Sequence, residues 1–151
     1  MSTRTQQPLL CLDLEGTLIS NAVSQIPRPG LYSFLESVSR ICDLALYTSV
    51  SPERLQSIQD VLIREKAVPP WFINLPSFHP KGTTKVKAEC GRSDAILLDD
   101  QAIVVAPGEE DWWIPIKEFV PPYTMEDREL FKAFADIESR LLRVCRISPA
   151  Q

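Results

Sequence analysis

The stretch Leu9-Leu10-Cys11-Leu12-Asp13-Leu14-Glu15-Gly16-Thr17-Leu18 decides how the rest of the chain is read. It opens on four apolar residues with no polar alternation, so neither face of an extended segment is meant for water. That pattern predicts a strand covered on both sides, as in a parallel sheet. The run ends in acids and then Gly16-Thr17, which marks a sharp turn at its carboxyl end. Leu44-Ala45-Leu46-Tyr47-Thr48 repeats the arrangement with a hydroxyl at its end. Ala95-Ile96-Leu97-Leu98-Asp99-Asp100 repeats it with a pair of acids.

Between these runs the apolar spacing is helical. Leu31, Phe34, Leu35, Val38 and Ile41 fall on one face of a helix that starts near Pro29 and Gly30. Ser51-Pro52-Glu53 predicts the N-cap, first-turn proline and first-turn acid of a second helix. Its stripe is Leu55, Ile58, Val61 and Leu62, and Pro69-Pro70 ends it. Trp71-Phe72-Ile73 is expected to be a short strand, Pro76 to Gly82 a loop, and Thr83 or Thr84 the cap of a short helix through Cys90. Trp112 to Ile116 reads as a further strand. Met125 to Val144 reads as the last helix, with Leu130, Phe134, Ile137, Leu141 and Val144 on one side. Strands alternating with helices predict an α/β fold, a parallel sheet with helices on both faces. Residues 1–8 are expected to be a flexible N-terminus and residues 9–147 a single domain.

Composition excludes several functions. The 151 residues carry 16 basic and 20 acidic side chains, a net charge of -4, which argues against a nucleic-acid partner. No apolar run approaches a membrane span, and Met1 to Pro8 lacks the apolar core of a secretory signal. Cys11, Cys42, Cys90 and Cys145 form no C-x-x-C pair, and His79 is the single histidine, so zinc sites built on those ligands are not expected. Free thiols in a reduced, cytoplasmic protein are the expectation. The 13 prolines against 5 glycines read as punctuation between elements, because a hydrophobic content of 44% is too high for a disordered tract. His79, between Phe78 and Pro80, reads as a loop residue.

In parallel sheets, sites form beyond the carboxyl ends of the strands. Asp13, Thr48, Asp99 and Asp100 all fall there. With D-L-E-G-T at residues 13–17, the first stretch resembles the first motif of the haloacid dehalogenase superfamily of phosphatases and phosphotransferases, an apolar strand followed by D-x-D-x-T. Thr48 stands where the second motif has its hydroxyl, Lys85 or Lys81 where a lysine precedes the last motif strand, and Ile96 to Asp100 where the acidic fourth motif lies. The resemblance spans nearly the whole chain.

It implies a Rossmann-like core and Mg²⁺, whose hard charge lets a carboxylate approach a phosphoryl group. By the same resemblance, Asp13 is the nucleophile and a metal ligand, forming an aspartyl-phosphate. The backbone carbonyl of Glu15 is a further ligand, and Asp99 and Asp100 hold the ion directly or through its water. Thr48 and the amide of Ser49 bind phosphoryl oxygens, and the lysine balances charge. The expected helix start after Thr84 favours Lys85 over Lys81. Glu15 stands where the superfamily usually has the aspartate that acts as general acid and base. The catalytic enolase-phosphatase branch carries a similar D-x-E-G-T. The import-translocase relatives of the carboxy-terminal-domain phosphatases, which have lost motif residues, are precedents for a catalytically inactive member that binds a protein partner.

The tail narrows the branch. W-W-I-P-I-K-E-F from Trp112, followed by E-D-R-E-L from Glu126, resembles the small C-terminal-domain phosphatase group. That group has D-L-D-x-T-L and Asp-Asn where this chain has D-L-E-G-T-L and Asp99-Asp100. Neither superfamily insertion point leaves room for a cap domain: Thr17 to Leu44 holds a flap and one helix, and Ser49 to Lys85 one helix and a short strand. An uncapped site implies a large phosphorylated substrate such as a phosphoprotein, with no nucleic acid and no membrane involved.

Overall fold

The structure, a computed structural model, describes residues 7–147, with side chains through Arg143. Most of the expected flexible N-terminus, and the side chains of Val144 and Cys145, therefore lie outside the described residues. Gln7 and Pro8 are tied down: Gln7 Nε2 donates to the Arg40 carbonyl (2.7 Å), and the Pro8 carbonyl accepts the Asp43 amide (2.9 Å).

Strands β1 (Leu9–Leu12), β2 (Asp43–Tyr47), β3 (Ser77–Phe78), β4 (Ile96–Asp99) and β5 (Trp113–Pro115) form one parallel sheet in the order β3-β2-β1-β4-β5. The continuous apolar runs of β1 and β4 are buried at every position, which is why they lack alternation. Helices α1 (Leu31–Ser39), α2 (Pro52–Arg64) and α3 (Glu129–Ile147) complete an α/β, Rossmann-like core. A flap between Thr17 and Arg28 is pinned by the antiparallel bridge Ile19–Pro27, and among the described residues there is no cap domain.

Helices cover both faces of the sheet, but unequally. Leu10, Leu12, Leu44, Leu46, Ile96, Leu98 and Ile114 share a core with residues of α1, α2 and α3, among them Leu35, Ile58, Leu62 and Ile137. The opposite face, with Leu9, Cys11, Ala45, Tyr47 and Leu97, meets Cys90 and Trp112, which end the short 3-10 helices Lys87–Cys90 and Glu110–Trp112. The handedness of parallel crossovers explains the division. The chain steps one way from β1 to β3 and the other way from β3 to β5, so right-handed connections fall on opposite faces. Cys11, Cys42 and Cys90 are free and buried, serving as small apolar side chains.

Three local expectations are corrected. Residues 71–73 are not a strand but part of the 3-10 helix Pro70–Asn74, because Pro70 takes its first position, where no amide hydrogen is required. The strand there is β3, inside the expected loop, held where the Leu46 amide donates to Pro76 and the Thr48 amide to Phe78. No helix starts at Thr83 or Thr84: Lys85 is extended, its amide bonded to the Val104 carbonyl (2.7 Å), and the 3-10 turn begins only at Lys87. α2 follows expectation, with the Ser51 hydroxyl accepting the Arg54 amide and Pro52 in the first turn.

Candidate active site

The strand order reverses direction at β1, so the carboxyl ends of β1 and β4 flank the switch point of the sheet, where such folds bind ligands. Asp13 follows β1, and its amide bonds to the Leu98 carbonyl (3.0 Å), which carries the ladder up to Asp99 at the end of β4. Lys85, extended between β3 and β4, closes the group. Its Nζ lies 2.7 Å from Asp13 Oδ1 and 2.5 Å from Asp99 Oδ2. Asp13, Lys85 and Asp99 are all buried.

Thr17 and Gln101 bind the remaining carboxylate oxygens. Thr17 Oγ1 lies 2.7 Å from Asp13 Oδ2 and 3.1 Å from Asp100 Oδ1. The Gln101 amide donates to Asp99 Oδ1, and its side chain to Asp100 Oδ2. Burial disfavours the charged form of Asp13 and pushes its pKa well up, with Lys85 opposing and Asp99 reinforcing the shift. Burial likewise raises Asp99 against the pull of Lys85. Burial works against the Lys85 ammonium too, but the two carboxylates outweigh it and hold its pKa above the ordinary value.

Carboxylate oxygens of Asp13, Asp99 and Asp100 lie within 4.8 Å of one another. Three carboxyl groups share one ammonium, fewer cationic partners than the acids need if all are to ionise. The Thr17 hydroxyl has one proton for its two carboxylate neighbours, so each carboxylate accepts at most two bonds of the roughly four it can take. Clustered hard oxygen donors with spare acceptor capacity fit a divalent ion such as Mg²⁺, whose charge would oppose the burial that disfavours their charged forms.

Gly16 shapes the same corner. Its φ is +78°, and a Cβ there would stand 2.5 Å from Asp100 Oδ2. Gly16→Ala is expected to lower stability by roughly 1–3 kcal/mol, measured as a reduced urea midpoint at unchanged slope.

Among the other expected residues, Ser49 and Glu15 line an open cleft of about 620 Å³ with Asp13, Lys85, Asp99 and Asp100. Thr48 follows β2 and is buried just behind that wall. Its Oγ1 accepts the Val50 amide (3.1 Å), leaving its proton free to donate. The Glu15 carboxylate stands outside the acidic cluster and accepts the Ala22 amide (2.7 Å). Lys81 is exposed and does not line the cleft. The lysine brought to the acids is thus Lys85, although the helix start expected to hold it does not form.

His79, read from the sequence as a loop residue, borders the cleft at the end of β3. A carbonyl can only accept, so the contact with the Thr48 carbonyl (3.0 Å) places the proton on His79 Nδ1 and leaves Nε2 buried without a partner. Thr17 is the threonine of the first motif, given no role of its own in the sequence reading, whereas Gln101 and His79 escaped the motif reading. Their signal was adjacency to a strand end or a motif residue.

A family model described as NLI interacting factor-like phosphatase matches residues 8–144. Among curated proteins no match was found.

Proposed function

The chain belongs to the NLI interacting factor-like phosphatase family, and on that premise we propose that it is a Mg²⁺-dependent phosphoric monoester hydrolase working through an aspartyl-phosphate. The observation that carries the reading is the Lys85 ammonium held between Asp13 and Asp99, with Asp100 beside them at the cleft floor.

Asp13, Asp99 and Asp100, with the Glu15 carbonyl, would hold Mg²⁺, which supplies charge neutralisation for the phosphoryl group. The Thr48 hydroxyl and the Ser49 amide bind phosphoryl oxygens. Asp13 attacks phosphorus through one carboxylate oxygen. The bond from phosphorus to the ester oxygen breaks, and the Glu15 carboxyl gives the leaving alkoxide its proton. Glu15, now ionised, takes a proton from water attacking the same phosphorus, the bond to Asp13 breaks, and inorganic phosphate leaves. The Lys85 ammonium opposes the burial that disfavours ionised Asp13, and it offsets charge in transfer. The uncapped cleft favours a phosphoprotein over a small ester. No helix among the described residues is long and apolar enough to cross a membrane.

A second reading has one specific observation behind it. The Glu15 carboxylate is engaged by the Ala22 amide and stands apart from the cluster, an arrangement that suits a binding-only domain. Hydrolysis of p-nitrophenyl phosphate discriminates the two. The enzyme reading expects turnover that appears with Mg²⁺ and is lost on chelation. Retained phosphopeptide binding without turnover at any Mg²⁺ concentration supports the binding domain instead.

A further inference from the structure

Among the described residues, the bulkiest fully buried side chain is a cation. Arg28, 1% exposed, sits beneath the turn that follows Asp13. All five of its N–H donors are used. Nε and Nη2 grip the Asp127 carboxylate at 3.0 and 3.1 Å, and Nη2 also donates to the Lys117 carbonyl at 2.5 Å. Nη1 donates to the carbonyls of Gly16 and Thr17, both at 3.2 Å. The guanidinium also lies over the Phe119 ring, 5.3 Å from its centroid.

A charge this deeply buried is expensive, and an apolar side chain would fill the space without that penalty. What an apolar side chain lacks is the fork of donors, which a lysine lacks as well. The fork is aimed at the two peptides whose orientation matters most to the site. Thr17 directs its hydroxyl at Asp13 Oδ2 and Asp100 Oδ1, and Gly16 abuts Asp100. The Gly16 carbonyl also accepts the Phe119 amide (2.8 Å), and Asp127 Oδ1 accepts the Glu129 amide at the start of α3. The turn after the first strand is thereby braced against the segment leading into the last helix.

We propose that Arg28 is a positioning residue for the cation site: by holding the Gly16 and Thr17 carbonyls it orients Thr17, and through Thr17 the carboxylates of Asp13 and Asp100. This rests on the Mg²⁺-phosphatase reading for its kinetic arm alone, because the binding arm is measured without turnover.

The variants are Arg28→Lys, Asp127→Asn and, as a stability control remote from the cleft, Leu62→Ala in the α2 core. Each is checked by circular dichroism, and Mg²⁺ affinity is measured calorimetrically below its melting temperature. Arg28→Lys is expected to weaken Mg²⁺ binding about tenfold or more, as loss of a residue supporting metal ligands does. The Mg²⁺ concentration for half-maximal p-nitrophenyl phosphate hydrolysis should rise in parallel, with KM for the ester little changed. Leu62→Ala lowers the melting temperature but leaves Mg²⁺ affinity within about twofold, since it touches no group linked to the ligands. Mg²⁺ affinity in Arg28→Lys as close to the parent as that of Leu62→Ala would overturn the proposal. Should Arg28→Lys fail to fold, Asp127→Asn carries the test, with a weaker loss in the same direction expected and no loss overturning it. Mg²⁺ binding by the parent without turnover, weakened in Arg28→Lys, supports the positioning role while sinking the hydrolase reading. A parent that binds no Mg²⁺ overturns both.

Discussion

Asp13→Asn is expected to reduce hydrolysis of an aryl phosphate by roughly four orders of magnitude or more while the protein remains folded, as loss of a covalent nucleophile does. The amide copies the shape of the carboxylate, so it still fills the site and still offers Thr17 one acceptor oxygen. It has no anionic oxygen to attack phosphorus, and its NH₂ meets Lys85 Nζ, which is itself a donor. Lys85 keeps Asp99 as a partner. The exchange removes a charge that burial already disfavours, so the melting temperature should move by only a few degrees. Rates under saturating Mg²⁺, read beside thermal unfolding, check both halves. A folded variant within about a hundredfold of the parent would rule out Asp13 as the nucleophile.

Lys85→Met is expected to produce the largest loss of stability of any single substitution at the site. It leaves Asp13 and Asp99 buried with no cation between them, and breaking a buried ion pair from one side costs about 3–5 kcal/mol. Set against a usual total of about 5–15 kcal/mol, this is a large part of the stability of the fold. Lys81→Met, at an exposed position, should change stability by no more than about 0.5 kcal/mol. Mg²⁺ should restore part of the loss in Lys85→Met, because a ligand that binds only the folded state stabilises it by mass action. Urea unfolding of both variants with and without Mg²⁺ gives the comparison. Equal midpoints for the two lysine variants would contradict the assignment of Lys85 as the central cation.

Which parts of this architecture were legible in the sequence follows from where their information resides. β1, β2 and β4 were visible because a strand buried on both faces must be apolar throughout, and that is a local property. α2 was visible because its cap, first-turn proline and stripe are local as well. β3 was not, because its two residues are defined by backbone bonds to β2 rather than by their side chains. Lys85 was chosen on an expected helix start, yet what fixes it is the Val104 carbonyl, a tertiary partner. Arg28 was least legible of all. A basic residue between two prolines reads as solvated, and its burial depends on Asp127 and Lys117 far along the chain. The acids were found because motif spacing is local. Thr17 came with the same motif, but its role, and the supports Gln101 and Arg28, are defined by what they reach in space.

The central position of β1 also sets an order of events during synthesis. Leu9–Leu12 gains one neighbour as soon as β2 has left the ribosome, but its other edge stays open until Ile96–Asp99 emerges. Through that interval an apolar strand presents unpaired amides and carbonyls, the kind of edge that recruits a second chain. The segment that ends the exposure is bounded by Lys85 and Asp99. Asp13, Lys85 and Asp99 therefore come together in the step that pairs the second edge of β1, and Trp113–Pro115 adds to the far side of β4 only afterwards.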